Sequence, residues 1–157
     1  MMFGFKLGFI ALSVLLYLIS LLLPVFVGIS ETVSYSGFSC LFMGWFSFSM
    51  GIIYTLPYLT NFVYFLSIPF GLFKLTTYIA IPLMVIVLIT AFPAFTITQM
   101  ITDETGRMVT VTAGSGMYVW YLSYVIFLFS LFIPNYRRKV KFENPEEDYT
   151  RDIESIY

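Results

Sequence analysis

The sequence predicts an all-α membrane protein of four transmembrane helices, with an outward interfacial or re-entrant helix and a small outward β-hairpin. Two observations carry that expectation. Hydrophobic residues fill 59% of the 157 positions and charged residues only 11%, against roughly half and about a quarter in ordinary globular domains. The charges are also confined to seams: none falls between Lys6 and Glu31, Glu31 and Lys74, Lys74 and Asp103, or Arg107 and Arg137. A helix crossing a hydrocarbon core of ~30 Å needs about 20 mostly apolar residues at ~1.5 Å each, and stretches of that order recur along the chain.

The first span, about 5–27, is rich in Leu and Ile and carries Pro24 near its far end. Lys6 before an apolar run is a feature of secretory leaders, but the run is long and Val25-Phe26-Val27-Gly28 lacks a small-residue cleavage pattern, so an uncleaved span is expected. The next charge-free stretch, 32–73, is too long for one crossing and is interrupted by Gly37, Gly44, Gly51, Pro57 and Pro69. It reads as two elements. Segment 37–50 lies on or re-enters the membrane surface, with Trp45 and several Phe at headgroup level. Span 54–73 follows, with Pro57 in its first turn, where a missing N–H costs least. An alternative crossing runs near 38–56.

The third span, 76–95, accommodates Pro82 and Pro93 because neighbouring helices and Ser or Thr side chains satisfy freed carbonyls. Over 96–112 the pattern turns from helical to alternating. Two runs rich in Thr and β-branched residues flank Asp103-Glu104-Thr105-Gly106, the signature of a hairpin with Gly at a left-handed turn position. Ala113-Gly114-Ser115-Gly116 gives a flexible entry to the fourth span, 117–133, which Pro134 and Asn135 stop. Residues 1–136 are thus the membrane domain and 137–157 a cytoplasmic tail.

Cytoplasmic flanks carry excess Lys and Arg. With Lys6, Lys74, Arg137, Arg138, Lys139 and Lys141 on one side, only Arg107 among the short-loop bases lies on the other, so both termini are expected in the cytoplasm. The basic cluster anchors topology and touches anionic lipid, each base contributing ~1 kcal/mol near the surface. The acidic end that follows, 143–154, reads as a solvated tail. A net charge of −1 and a pI near 5.3 point away from nucleic acid.

Candidate chemistry is sparse. There is no His, so an imidazole base and the commonest metal ligand are missing. One cysteine, Cys40, forms no internal disulfide. Glu31, Asp103 and Glu104 read as loop solubilisers rather than metal ligands, and Gly114-Ser115-Gly116 lacks the strand and base of a nucleophile turn. Neither an enzyme nor a cofactor is expected. The charge-free spans also argue against ion coupling, which places ionisable groups at membrane depth. Asn61, the most polar residue inside a span, is expected to hydrogen-bond to another helix for around 1 kcal/mol. Tyr118, Trp120, Tyr121 and Tyr124 open the last span and read as an interfacial aromatic belt. Gly4 and Gly8 have a close-approach spacing but sit at the edge of the first span.

Three segments resemble one family. Ser39-Cys40-Leu41-Phe42-Met43-Gly44-Trp45, then Leu56-Pro57-Tyr58-Leu59-Thr60-Asn61, then Gly114-Ser115-Gly116-Met117-Tyr118-Val119-Trp120-Tyr121-Leu122-Ser123 are similar to a group of small uncharacterised bacterial four-span inner-membrane proteins. Those share a C-L-x-x-G-W element, a small-residue-Asn step and a G-Y-x-L-W-x-x-S entry to the last span. Here Thr60 replaces the small residue, and Met117 separates the Gly from Tyr118. The resemblance implies the architecture and a multi-pass place in the bacterial inner membrane; the group has no known activity to transfer.

The function expected is therefore that of a non-enzymatic interaction or accessory subunit. Its partners are membrane lipids and a second membrane protein or further copies of itself. The outward face is the candidate interaction surface: Cys40, Trp45, Asp103, Glu104, Arg107, Tyr118 and Trp120. Two alternatives stand beside it. One is an immunity protein against a pore-forming toxin; the other is a channel or carrier for a neutral or lipidic substrate, with Asn61, Ser67 and Thr90 as pathway groups.

Overall fold

The computed structural model describes residues 2–29, 33–73, 75–101 and 107–133. Glu31, Lys74, Asp103, Glu104 and the tail 137–157 lie outside the described residues. Helix α1 (Met2–Leu22) leads into strand β1 (Pro24–Gly28) and strand β2 (Ser34–Ser36). Two short helices follow, α2 (Gly37–Met43) and α3 (Ser47–Met50), joined by a 3-10 turn at Gly44–Phe46. Next come α4 (Ile52–Leu72), α5 (Thr77–Ala91) with a 3-10 extension over Phe92–Thr96, β3 (Gln99–Ile101), β4 (Met108–Ala113) and α6 (Ser115–Leu131). Three stretches are long and apolar enough to cross a membrane, Gly4–Leu22, Ile52–Leu72 and Thr77–Thr96, while α6 has 17 residues.

The first helix ends earlier than expected. Instead of running to residue 27, α1 stops at Leu22, because a residue before proline is pushed out of the helical region, and Pro24–Gly28 becomes a strand. The hairpin is likewise only half of its sheet. Strands β3 and β4 pair antiparallel, Met100 opposite Val109, but β4 also pairs with β1, Val27 opposite Thr112, and β1 with β2, Phe26 opposite Tyr35. The order is β2-β1-β4-β3. In β4, Val109 and Val111 point inward while Met108, Thr110 and Thr112 face out, the alternation of a sheet with one covered face. The glycines before the last span are packing residues rather than a flexible entry. A side chain at Gly114 or Gly116 would collide with the backbone of Leu23 and Pro24, so their absence of Cβ seats α6 against β1.

The second long helix begins at Ile52, two residues before the expected start, after Gly51, whose φ of +113° favours glycine. Pro57 therefore lies beyond the first turn. The segment expected to lie at a membrane surface, 37–50, is α2 to α3, with Ser36 capping α2 through an Oγ that accepts from the Ser39 N–H at 3.2 Å.

Each long helix turns one stripe inward at alternating three- and four-residue spacing, the seam spacing of helix bundles. The buried residues are Lys6, Ile10, Ser13, Tyr17 and Ser20 on α1, and Ala80, Met84, Val87 and Ala91 on α5. Helix α4 buries Thr60, Asn61, Tyr64 and Ser67; α6 buries Trp120, Ser123, Tyr124, Phe127 and Ser130. Helix α6 packs against α1 and α5, and α5 against α4. The seam between α1 and α4 is bridged by side chains: Ser13 Oγ and Tyr64 OH share a hydrogen bond of 2.7 Å, and the rings of Tyr17 and Tyr64 stack at 5.2 Å. The buried serines are satisfied by carbonyls, Ser123 Oγ donating to Trp120 O and Ser130 Oγ to Phe127 O, each at 2.6 Å. At the opposite end from the sheet, Lys6 Nζ donates to Thr77 Oγ1 at 3.3 Å, so α1 and α5 begin side by side.

Candidate functional site: an uncharged cavity under the sheet

Where α1 ends and α6 begins, the bundle, the sheet and the α2–α3 segment do not close on one another. They enclose a cavity of about 690 Å³, within the range of small-molecule sites. Its polar wall groups are Tyr17 and Ser20 from α1, Ser39 and Cys40 from α2, Ser47 and Ser49 from α3, Asn61 from α4 and Trp120 from α6, with the hydroxyls of Tyr35, Tyr54 and Tyr58. The rest is mainly aromatic and sulfur-bearing, with Phe26 and the rings of Tyr35 and Tyr58 beside Met43, Met50, Met100 and Met117. Among the described residues no charged side chain lines it. Met43 and Phe46 on the wall are more than half exposed, so the cavity opens past them.

Asn61 organises the polar end. Its Oδ1 accepts hydrogen bonds from Tyr17 OH at 2.9 Å, Trp120 Nε1 at 2.9 Å and Tyr124 OH at 3.0 Å. Its Nδ2 donates to Tyr58 O at 3.0 Å. Because α4 carries Asn61 while the three donors come from α1 and α6, one amide ties three helices together. Glycine at 44 permits the lid above it: a Cβ there would strike the Tyr58 ring, so only glycine lets the α2–α3 turn approach α4 this closely. Ser47 is 8% exposed and its Oγ has no hydrogen-bond partner. Burial pushes the Cys40 thiol up to about 12, because thiolate is poorly solvated there. Burial thus favours the thiol form of Cys40 over the thiolate at neutral pH.

The residues expected to form one outward surface are divided. Cys40 and Trp120 line the cavity. Trp45 is 60% exposed and leans on Phe46 at 4.8 Å between ring centres. Tyr118, also 60% exposed, packs on Phe95 at 5.4 Å, and Arg107 is exposed just before β4. The belt expected at the start of the last span is corrected in the same way. Tyr118 faces out, but Trp120 and Tyr124 are buried, since α6 is the helix that contacts α1, α5 and β1 together. Of the expected pathway groups only Asn61 lines the cavity. Ser67 Oγ donates to Val63 O and Thr90 Oγ1 to Ile86 O, both at 2.7 Å, so their hydroxyls are used within their own helices.

Sequence reasoning missed Tyr17, Tyr64 and, beyond a place in the aromatic belt, Tyr124, and it also missed Ser47. A signal for the first three exists: Ser13-Tyr17-Ser20, Thr60-Asn61-Tyr64-Ser67 and Trp120-Ser123-Tyr124 are hydroxyl- and amide-bearing stripes at seam spacing in otherwise apolar helices. Among the described residues no cluster of three or more His, Cys, Asp or Glu could hold a metal ion. No family model, curated protein or solved structure matches this chain.

Proposed function

We propose that the chain is a multi-pass membrane protein that holds an uncharged, lipid-class molecule in the cavity beneath its sheet, as a binder or carrier. The observation that carries this reading is the cavity itself: about 690 Å³ with no charged residue on its wall among the described residues. An ionised guest would lose its hydration there without a counter-charge, whereas an apolar one gains about 25 cal/mol for each Å² removed from water. The methionines suit a guest of variable shape, their side chains being unbranched and adaptable.

Membrane residence is supported by the outward faces of the helices. In each of the three long apolar stretches only 28% is buried inside the molecule, and the remainder presents side chains such as Leu12, Leu15, Ile86 and Ile89. The bacterial inner membrane and cytoplasmic termini belong to the same proposal. In their support, Lys6 and the start of α5 share one end, and Arg107 and the sheet occupy the other.

The two tryptophans provide a test, because Trp120 lines the cavity and Trp45 stands outside it. With Trp45→Phe in lipid nanodiscs, a chain-brominated hydrocarbon should quench Trp120 saturably at low mole fraction. Quenching that only follows the bulk bromine content, without saturation, would refute a binding cavity.

A second reading, an accessory subunit that recognises a membrane protein, is favoured by the exposed row Phe38, Phe42, Trp45, Phe46 and Phe48. It requires that Trp45→Ala release a co-purifying membrane protein, and an unchanged co-purification profile would refute it.

A further inference from the structure

Three donors meet on one oxygen at the polar end of the cavity, and one hydroxyl on its wall has no partner. An amide carbonyl has two lone pairs, yet three donors converge on Asn61 Oδ1. Tyr124 has a long alternative in Thr60 Oγ1 at 3.4 Å, and Trp120 Nε1 has one in the Tyr124 hydroxyl, but among the described residues no other side chain serves Tyr17 OH. Tyr17 and Trp120 are on the cavity wall, whereas Tyr124 stands behind them. Ser47, also on the wall, adds a buried hydroxyl without a partner. Hydrogen-bonding groups left short in a buried place favour whatever ligand supplies the missing partner, and this selects guests more sharply than apolar contact does.

Resting on the reading of the cavity as a lipid site, we propose that its guest is an uncharged lipid bearing a carbonyl oxygen, ester or ketone, which accepts from Tyr17 OH or Trp120 Nε1 while Ser47 holds a second oxygen of the same polar end. The hydrocarbon part lies against Met43, Phe46 and Met50, where the wall opens. A diacylglycerol-like ester and a quinone-like ketone share the required chemistry. A charged phospholipid does not, because among the described residues no cationic side chain on the wall compensates its phosphate.

The test uses the full chain carrying Trp45→Phe in nanodiscs and reads saturable quenching of Trp120. Four probes are compared: a dibromo-diacylglycerol, decyl-ubiquinone, dibromo-octadecane and a dibromo-phosphatidylglycerol. The carbonyl probe that matches the natural source should saturate at about tenfold lower mole fraction than the hydrocarbon. Tyr17→Phe, which keeps the ring stack on Tyr64, and Ser47→Ala should each reduce that preference several-fold. Preference for the ester over the ketone, or the reverse, identifies which source is used. The inference is overturned if the hydrocarbon saturates as early as both carbonyl probes, if neither substitution alters the preference, or if phosphatidylglycerol is preferred; in the first two cases the apolar cavity itself still stands. Absence of saturable quenching by every probe overturns the underlying reading as well. Thermal unfolding of both variants in the same discs separates lost binding from lost fold.

Discussion

Three donors converge on the side-chain carbonyl of Asn61, and they come from two helices other than its own. Removing that acceptor strands Tyr17 OH and leaves Trp120 and Tyr124 to weaker partners, in a buried place where an unsatisfied polar group costs about 1–3 kcal/mol and an interhelical hydrogen bond in a membrane contributes about 0.6 kcal/mol. Asn61→Leu should therefore destabilise the fold by on the order of 2–4 kcal/mol. Tyr17→Phe removes one donor of three and leaves the amide satisfied, so its cost should stay below about 1 kcal/mol. Reversible unfolding in mixed micelles measures both. An Asn61→Leu variant as stable as the parent would mean that the amide does not hold the helices together. Ser47 and Cys40 belong to the same scale: each is a small polar group on an apolar wall, and neither is paired or ionised.

Helices α1, α4 and α6 carry hydroxyl- or amide-bearing residues along the inner seam, α5 carries Ala80, Met84, Val87 and Ala91 there, and large apolar side chains lie outside. This is the reverse of a soluble amphipathic helix and is the pattern expected of helices in a hydrocarbon solvent, where close packing and hydrogen bonds join them. The sheet is the element that changes the architecture most. Because β1 and β4 are more than 80 positions apart in sequence, their pairing can be checked by cross-linking. In a Cys40→Ala background, Val27→Cys with Thr112→Cys should oxidise to an intramolecular disulfide, since directly paired strand residues bring Cα atoms to about 5.5 Å. Recovery of intermolecular dimers alone would contradict the register.

That sheet also shows where the sequence ceased to be legible. Charge exclusion marked the long helices, and turn chemistry with alternation marked β3 and β4, because both are local signals. The run Pro24-Val25-Phe26-Val27 is equally apolar in a helix and in a strand, and only pairing with residues 111–113 decides between them. Asn61 stood out because it is the one amide in an apolar span. Tyr124 reads as a belt residue because it follows Tyr118 and Trp120 at the start of the last span, and Tyr17, inside the first, shows its role only once its neighbours on other helices are known. Ser47 carries no sequence signal at all, since its lack of a partner is a property of the assembled wall.

As a whole the molecule is a bundle tied at its centre by tyrosines, serines and one amide, roofed at one end by a four-stranded sheet and flanked there by short surface helices. The cavity lies where these three parts meet, and each limits it differently. The bundle supplies the polar floor, the sheet supplies apolar cover through Phe26 and Met100, and α2–α3 supplies the opening at Met43 and Phe46. Occupancy of that space is the claim on which the functional account depends. It is tested most directly by native mass spectrometry of the intact chain released from gently solubilised membranes, compared with Cys40→Phe, which places a ring inside the cavity. The account predicts that the parent chain carries one additional mass corresponding to an uncharged lipid, and that Cys40→Phe, folded to the same degree by thermal unfolding, has lost it. A parent chain that is bare, or a bound lipid that persists unchanged in Cys40→Phe, would contradict the account.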